Sequence, residues 1–218
     1  SVALFALLSM KRSEQNRVWV GLSKETAHQL GTPISSLMAW VEVLRETYPD
    51  DVLIPEMGRD VERLQLIAER FSKIGSLPEL RTTDVRDVVS HVVDYIRNRA
   101  SNRVAIVAEM PEEQVEIPLC APLFEWVVEN LCKNAVDAMD GRGIITVEMA
   151  DLPNMVVIDV TDTGKGMSKS SISKVFNMGF TTKKRGWGLG LSLSKRIIKE
   201  YHGGRIYVKH SQIDKGTT

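Results

Sequence analysis

From residue 27 the apolar positions keep a regular beat. Ala27, Leu30, Ile34, Leu37, Val41 and Leu44 follow one another at alternating intervals of three and four, the seam of a helix built to pack against other helices. Pro33 interrupts this stretch; it lacks an amide donor and crowds the preceding turn, so a kink is expected just after His28. Tyr48-Pro49-Asp50-Asp51 carries turn chemistry, and a second seam follows through Ile54, Met57, Val61, Leu64, Ala68, Phe71 and Ile74. The pattern predicts a helical hairpin over residues 23–77, preceded by a helix at 1–22. One hairpin cannot bury both seams, whereas two close a four-helix bundle, so a homodimer is expected.

Beyond residue 75 the pattern changes. Gly75, Pro78 and the polar run Arg81–Asp84 predict a linker over 78–84, with 75–84 as a hinge. Helical spacing returns at Val85–Arg97 and Leu123–Met139, and again at Ser192–Tyr201. Short β-like runs occupy Val104–Ala108 and Val115–Ile117. Ile144–Met149 and Met155–Val160 alternate around a turn at Pro153-Asn154, and Arg205–Lys209 is expected as a last strand after Gly203-Gly204. Strands with helices on one face predict an α/β sandwich over 85–218, and an α+β chain as a whole.

Composition narrows the function classes. Lys plus Arg number 28, as do Asp plus Glu, so no basic field exists to hold nucleic acid by its phosphates, and no nucleic-acid partner is expected. Cys120 and Cys132 lack metal-binding or disulfide spacing, which fits a reducing intracellular setting. Residues 2–8 form an apolar run ending near Lys11-Arg12, too short to cross a bilayer alone. Two readings stand for it: the cytoplasmic end of a transmembrane helix with a positive flank, or a buried coiled-coil or crystal-contact segment.

The candidate chemistry lies in five short motifs. Asn130-Leu-Cys-Lys133-Asn134 sets two carboxamides on one helix face, and an amide oxygen is a hard, neutral ligand for Mg²⁺ beside a triphosphate. By itself such a pair is ordinarily a solvated face. Asp162-Thr-Gly164-Lys-Gly166 follows a strand, where a buried carboxylate would accept a hydrogen bond from the adenine amine; alone it is ordinarily a turn. Phe176-Asn-Met-Gly-Phe-Thr181-Thr182-Lys183 precedes Gly186-Trp-Gly188-Leu189-Gly190, whose glycines open a helix with amides suited to phosphate. In this order and setting the four motifs predict an ATP pocket. The fifth, Ala27-His28-Gln29-Leu-Gly-Thr32-Pro33, sets an imidazole one position past the seam, pointing outward. A neutral imidazole is a competent nucleophile near neutral pH.

Together these motifs resemble the sensor histidine kinases of two-component signalling, over nearly the whole chain from Ser23. Asn130–Asn134, Asp162–Gly166, Phe176–Phe180 and Gly186–Gly190 are similar to that family's N, G1, F and G2 boxes, which belong to the Bergerat ATP-binding fold, and the Ala27–Pro33 motif is similar to its H-box. The resemblance implies that ATP phosphorylates His28 and that the phosphoryl group passes to an Asp on a response-regulator receiver domain. It implies that Asn134, with Asn130, serves Mg²⁺ and phosphate, that Asp162 recognises adenine, and that residues 167–188 form a lid carrying Lys183 near the phosphates. It also implies a cytoplasmic domain of an inner-membrane sensor, attached through an upstream transmembrane helix, with signal arriving along residues 1–22.

Several positions depart from the family or refine the assignment. Gln29 stands where the family usually has an acid next to the histidine; a carboxamide can orient the imidazole but cannot take its proton, a role that falls to Glu25 or solvent. Gly31 stands where a polar or basic residue is commoner, which eases bending. Thr32, four residues after His28, implies that water is positioned for a phosphatase activity as well. The ATP-hydrolysing relatives carry a Glu where this chain has Asn130, so slow hydrolysis is expected. The chain stops at Gly216-Thr217-Thr218, where the family has a further glycine-threonine box and a closing strand, so a C-terminal segment is expected to be missing. Two alternatives stay open: a degenerate nucleotide-binding scaffold, favoured only by Gln29, and a Bergerat-fold ATPase, opposed by Asn130.

Overall fold

Residues 29–47 form one helix, α1, which runs through Gly31 and Pro33 without interruption. In this computed structural model, residues 25, 29–74, 78–183 and 188–218 are described, in two units that divide between Pro78 and Glu79. Residues 1–22, Ala27 and His28 lie outside the described residues, as do Gly186 and the side chains of Phe71 and Ile74; the kink expected just after His28 does not break the helix, which is continuous from residue 29.

In the first unit α1 returns through a turn into α2, Leu53–Ile74. The Tyr48 amide donates to the Leu44 carbonyl at 2.8 Å, and the Asp51 carboxylate accepts the Leu53 amide at 2.8 Å, satisfying one of the free donors at the start of α2. Ile34 and Val41 from α1 meet Ile54, Val61 and Ala68 from α2 in one small core, with Leu37 and Leu44 packed against it. The buried residues within each helix are seven apart, so they use one half of each seam. The other half stays open: Leu30, Met57 and Leu64 are 40, 46 and 46% exposed.

The second unit is built on a five-stranded sheet in the order β2-β4-β5-β7-β6. Its strands are β2 (Val104–Glu109), β4 (Gly143–Leu152), β5 (Met155–Asp162), β6 (Ser211–Gln212) and β7 (Gly216–Thr217). β2 and β4 run parallel, and the remaining pairs are antiparallel. In β4 Ile145, Val147 and Met149 point into the core while Ile144, Glu148 and Ala150 are exposed, the alternation of a sheet covered on one face. Helix α3, Val85–Arg97, buries Val85, Val88, Val89, Val92, Val93 and Ile96 against it, a stripe of helical period. Helix α4, Ala121–Ala138, adds Val128, Cys132 and Ala135 to the same core. Burial and the nearby Glu129 push the Cys132 thiol up to about 12, so it stays protonated and inert.

Three expectations are corrected. Arg81–Asp84, expected within a linker and hinge, is a strand, β1, paired antiparallel with β3 (Glu116–Leu119). A polar run with no alternation carries no local strand signal; its ladder partner lies 32 residues away in sequence at the nearest, Asp84 opposite Glu116. Arg205–Lys209 is not a strand. Pairing begins only where Lys209 and His210 amides meet the Thr218 carbonyl at 2.9 and 3.3 Å, because an alternating segment becomes a strand only with a ladder to join. The helix expected at Ser192–Tyr201 starts earlier, as α6, Gly190–Arg196, and its last turn, Ile197–Tyr201, widens to a π-helix. Between β5 and α6 lies the short helix α5, Lys169–Ile172.

Asp84 joins β1 to α3. Its carboxylate accepts the Arg86 amide at 3.0 Å and the Val115 amide at 3.3 Å, and the Arg86 guanidinium grips it at 3.1 and 2.6 Å. Hydrogen bonding from Arg86 holds this carboxyl down at about 2, well below its ordinary value. A depressed carboxyl adds stability above its unfolded value near about 3.9 and loses it as pH falls toward the folded value. Asp84→Asn is therefore expected to lower the melting temperature at neutral pH and to flatten its fall in acid. Thermal melts across the acid range check this, and parallel curves for the two proteins would reject it.

Candidate functional site

Helix α4 brings Asn130, Asn134 and Asp137 to one face, at intervals of four and three. Asn130 is committed to α6: its amide nitrogen donates to the Ser194 hydroxyl at 2.9 Å, which in turn donates to the Gly190 carbonyl at 3.0 Å. Gly190 packs so closely here that a Cβ would lie 2.5 Å from Asn130 Oδ1, which only glycine avoids. Asn134 Oδ1 accepts the Lys183 ammonium at 2.7 Å, and Asp137 Oδ2 accepts it at 2.5 Å. An amide oxygen already holding one cation has the donor chemistry that a Mg²⁺ ion takes.

At the end of β5 the Asp162 carboxylate is 9% exposed. It accepts the Gly164 amide at 2.8 Å and the backbone N–H of Thr217. Burial raises this carboxyl above the usual carboxylate range, and the two N–H groups oppose the rise. The loop that follows is tied to the end of α4 by the Lys165 amide, which donates to the Ala138 carbonyl at 2.9 Å. Gly166 has φ +64° and leaves no room for a Cβ against the Gln212 carbonyl.

The next segment is closed at its base, where the Gly179 amide donates to the Gly188 carbonyl at 3.0 Å. Ser168 caps α5 through the Ser171 amide. Phe176 is half-buried with the Lys195 ammonium 5.6 Å from its ring centre. The Thr181 hydroxyl accepts the Lys183 amide at 3.1 Å, Thr182 is exposed, and Leu189 is half-buried just before α6. Lys133 is not brought to the Asn130–Asn134 face: its ammonium pairs with Glu129, one turn back on α4. In the first unit the Gln29 amide donates to Glu25 Oε1 at 2.7 Å, and Thr32 is exposed on α1.

Three participants went unnamed in the sequence reading. Asp137 was legible as the third polar residue on the Asn130–Asn134 face. Ser194 sits one turn after Gly190, a weaker signal, and Thr217 acts through its backbone, which leaves no trace in the side-chain pattern. Among the described residues no helix is long and apolar enough to cross a membrane.

Comparison with known proteins adds an independent line. Residues 121–218 match the family described as histidine kinase-, DNA gyrase B-, and HSP90-like ATPase. The sensor histidine kinase ZraS of Salmonella typhimurium is 29% identical over 209 residues, covering 92% of this chain and 45% of the relative. The chain thus spans under half the length of that relative. The solved catalytic domain of histidine kinase ThkA is 25% identical with a TM-score of 0.58, covering 64% of this chain and 91% of that one. The structure of ThkA in complex with response regulator protein TrrA has a TM-score of 0.61 at 21% identity, covers 100% of this chain and 65% of that one, and speaks for the fold. With the buried Asp162, the amide face of α4 and the glycine turns already in place, residues 121–218 form a histidine kinase-, DNA gyrase B-, and HSP90-like ATPase domain, and the chain as a whole is similar to sensor histidine kinases.

Proposed function

We propose that this chain is a protein histidine autokinase: it binds ATP in the second unit, phosphorylates His28 and passes the phosphoryl group to an Asp of a response-regulator receiver domain. The observation that carries the reading is Asn130. A hydrolase needs a base there to activate water, and this amide is tied to Ser194 and cannot take a proton. The γ-phosphoryl is thereby kept for a protein nucleophile.

In the transfer, a His28 ring nitrogen attacks the γ-phosphorus, the bond to the β–γ bridging oxygen breaks, and ADP leaves. Asp162 accepts the adenine amine, and Asn134, with Asn130, offers amide oxygens to the metal–phosphate end. Mg²⁺, when bound, neutralises charge developing between the β- and γ-phosphates. The opposite ring N–H of His28 must lose its proton. Gln29 Oε1 would orient the ring by accepting a hydrogen bond from that N–H but cannot take its proton, and the Gln29 amide nitrogen is held by Glu25, so Glu25 or solvent is the base. Thr32 positions water against the phosphorylated regulator, giving a phosphatase activity. The half-open seam of the hairpin supports a homodimer, and similarity to sensor histidine kinases that are more than twice as long as this chain supports attachment through an upstream transmembrane helix with the described units on the cytoplasmic side.

Incubation with γ-³²P-labelled ATP should give a protein label that is stable in base, lost in acid, and wholly lost in His28→Ala. Steady phosphate release without labelled protein would instead assign an ATPase, and ATP binding with neither would assign a scaffold. Timing the label in Gln29→Glu tests the proton route: an unchanged rate would reject a limit set by the missing acid.

A further inference from the structure

We propose that Asp137 is a positioning residue that couples nucleotide binding to the divalent ion. Asn134 and Asp137 form a corner that holds the Lys183 ammonium and exchanges it toward the phosphates when ATP enters with Mg²⁺. The inference rests on the nucleotide reading above and names a part of that site which the sequence motifs omit.

Geometry and charge carry it. Asp137 follows Asn134 by one helical turn, on the face that Asn130 shares. The Lys183 ammonium, 46 residues further along the chain, donates to both, at 2.7 Å to Asn134 Oδ1 and 2.5 Å to Asp137 Oδ2. Exposed ion pairs are common and weak, and this one, with side chains 40 and 55% exposed, is loose enough to exchange. The second acceptor makes it more than a surface pair. Asn134 Oδ1 is the oxygen assigned to the metal, so the ammonium and the ion compete for one atom. Once Lys183 leaves, the Asp137 carboxylate stands uncompensated beside a triphosphate. That arrangement is repulsive without a divalent ion and attractive with one. Asp137 therefore makes ATP affinity depend on Mg²⁺.

The test is the ratio of ATP dissociation constants measured with excess EDTA and with excess Mg²⁺, by calorimetry on the full chain. Asp137→Asn keeps the shape and removes the charge. It is expected to tighten binding in EDTA, to weaken it in Mg²⁺, and so to reduce the ratio by about three- to fivefold, the range of an exposed charge interaction. Asp137→Glu should restore the ratio. Lys183→Gln should weaken ATP under both conditions. If Asp137→Asn shifts both constants equally, or neither, Asp137 is a structural anchor and the proposal falls. Failure of the unsubstituted chain to bind ATP under either condition would overturn the nucleotide reading itself, and this proposal with it.

Discussion

Asp162→Asn is expected to weaken ATP binding by about a hundredfold, the scale of a buried hydrogen-bonded charge lost without a substitute. The carboxylate is an acceptor at both oxygens. It already takes the Gly164 and Thr217 N–H groups and, in the proposed complex, takes the adenine amine as well. A carboxamide offers one oxygen and one NH₂, so either orientation sets a donor against a donor. Calorimetry with ATP reads the loss, and guanine nucleotides serve as a comparison because their ring presents a carbonyl at that position. Affinity within threefold of the original chain would show that Asp162 does not meet the base. The folded chain should survive the change. Burial raises this carboxyl, so the folded form binds its proton more tightly than the unfolded one, and the charge is a cost to folding above the raised value. Its contribution therefore grows as pH falls, opposite in sign to that of Asp84, whose contribution is lost in acid.

Leu64→Glu is expected to leave the hairpin folded and make the chain monomeric. Leu64 is 46% exposed and is not among the buried residues of the small hairpin core, Ile34, Val41, Ile54, Val61 and Ala68, so the substitution leaves those five in place. In a four-helix bundle the same position would face the partner. Burying an unpaired carboxylate there costs several kcal/mol, more than the leucine contributed, roughly 2 kcal/mol. Light scattering of the eluted protein gives the mass, and circular dichroism reports helix content. A variant that remained dimeric with native helix content would show that the open half of the seam is not the interface.

The helices were readable in advance for a local reason. In α3 the valines at 85, 88, 89, 92 and 93 repeat with helical period, and that period needs no distant partner to be visible. The motif order around Asn130, Asp162 and Gly190 was equally legible, since each is a short run of residue types that few other settings require together. Strands were read less well. β4 and β5 alternate and were found, though each runs further than its apolar core suggests: β4 extends from Gly143 to Leu152. β1 was missed because Arg-Thr-Thr-Asp reads as a polar connector until β3 is beside it.

The sequence by itself determined the two-part organisation, the helical stripes and the residue types that an ATP site needs, because these are encoded within one or two turns or within a short motif. The tertiary structure alone decided which groups meet. It turned a polar connector into β1, left Arg205–Lys209 outside the sheet, tied Asn130 to Ser194 and set Lys183 against Asn134 and Asp137. Each of these outcomes depends on partners dozens of residues away, and a hydrogen bond or a ladder is a property of two segments that neither segment carries alone.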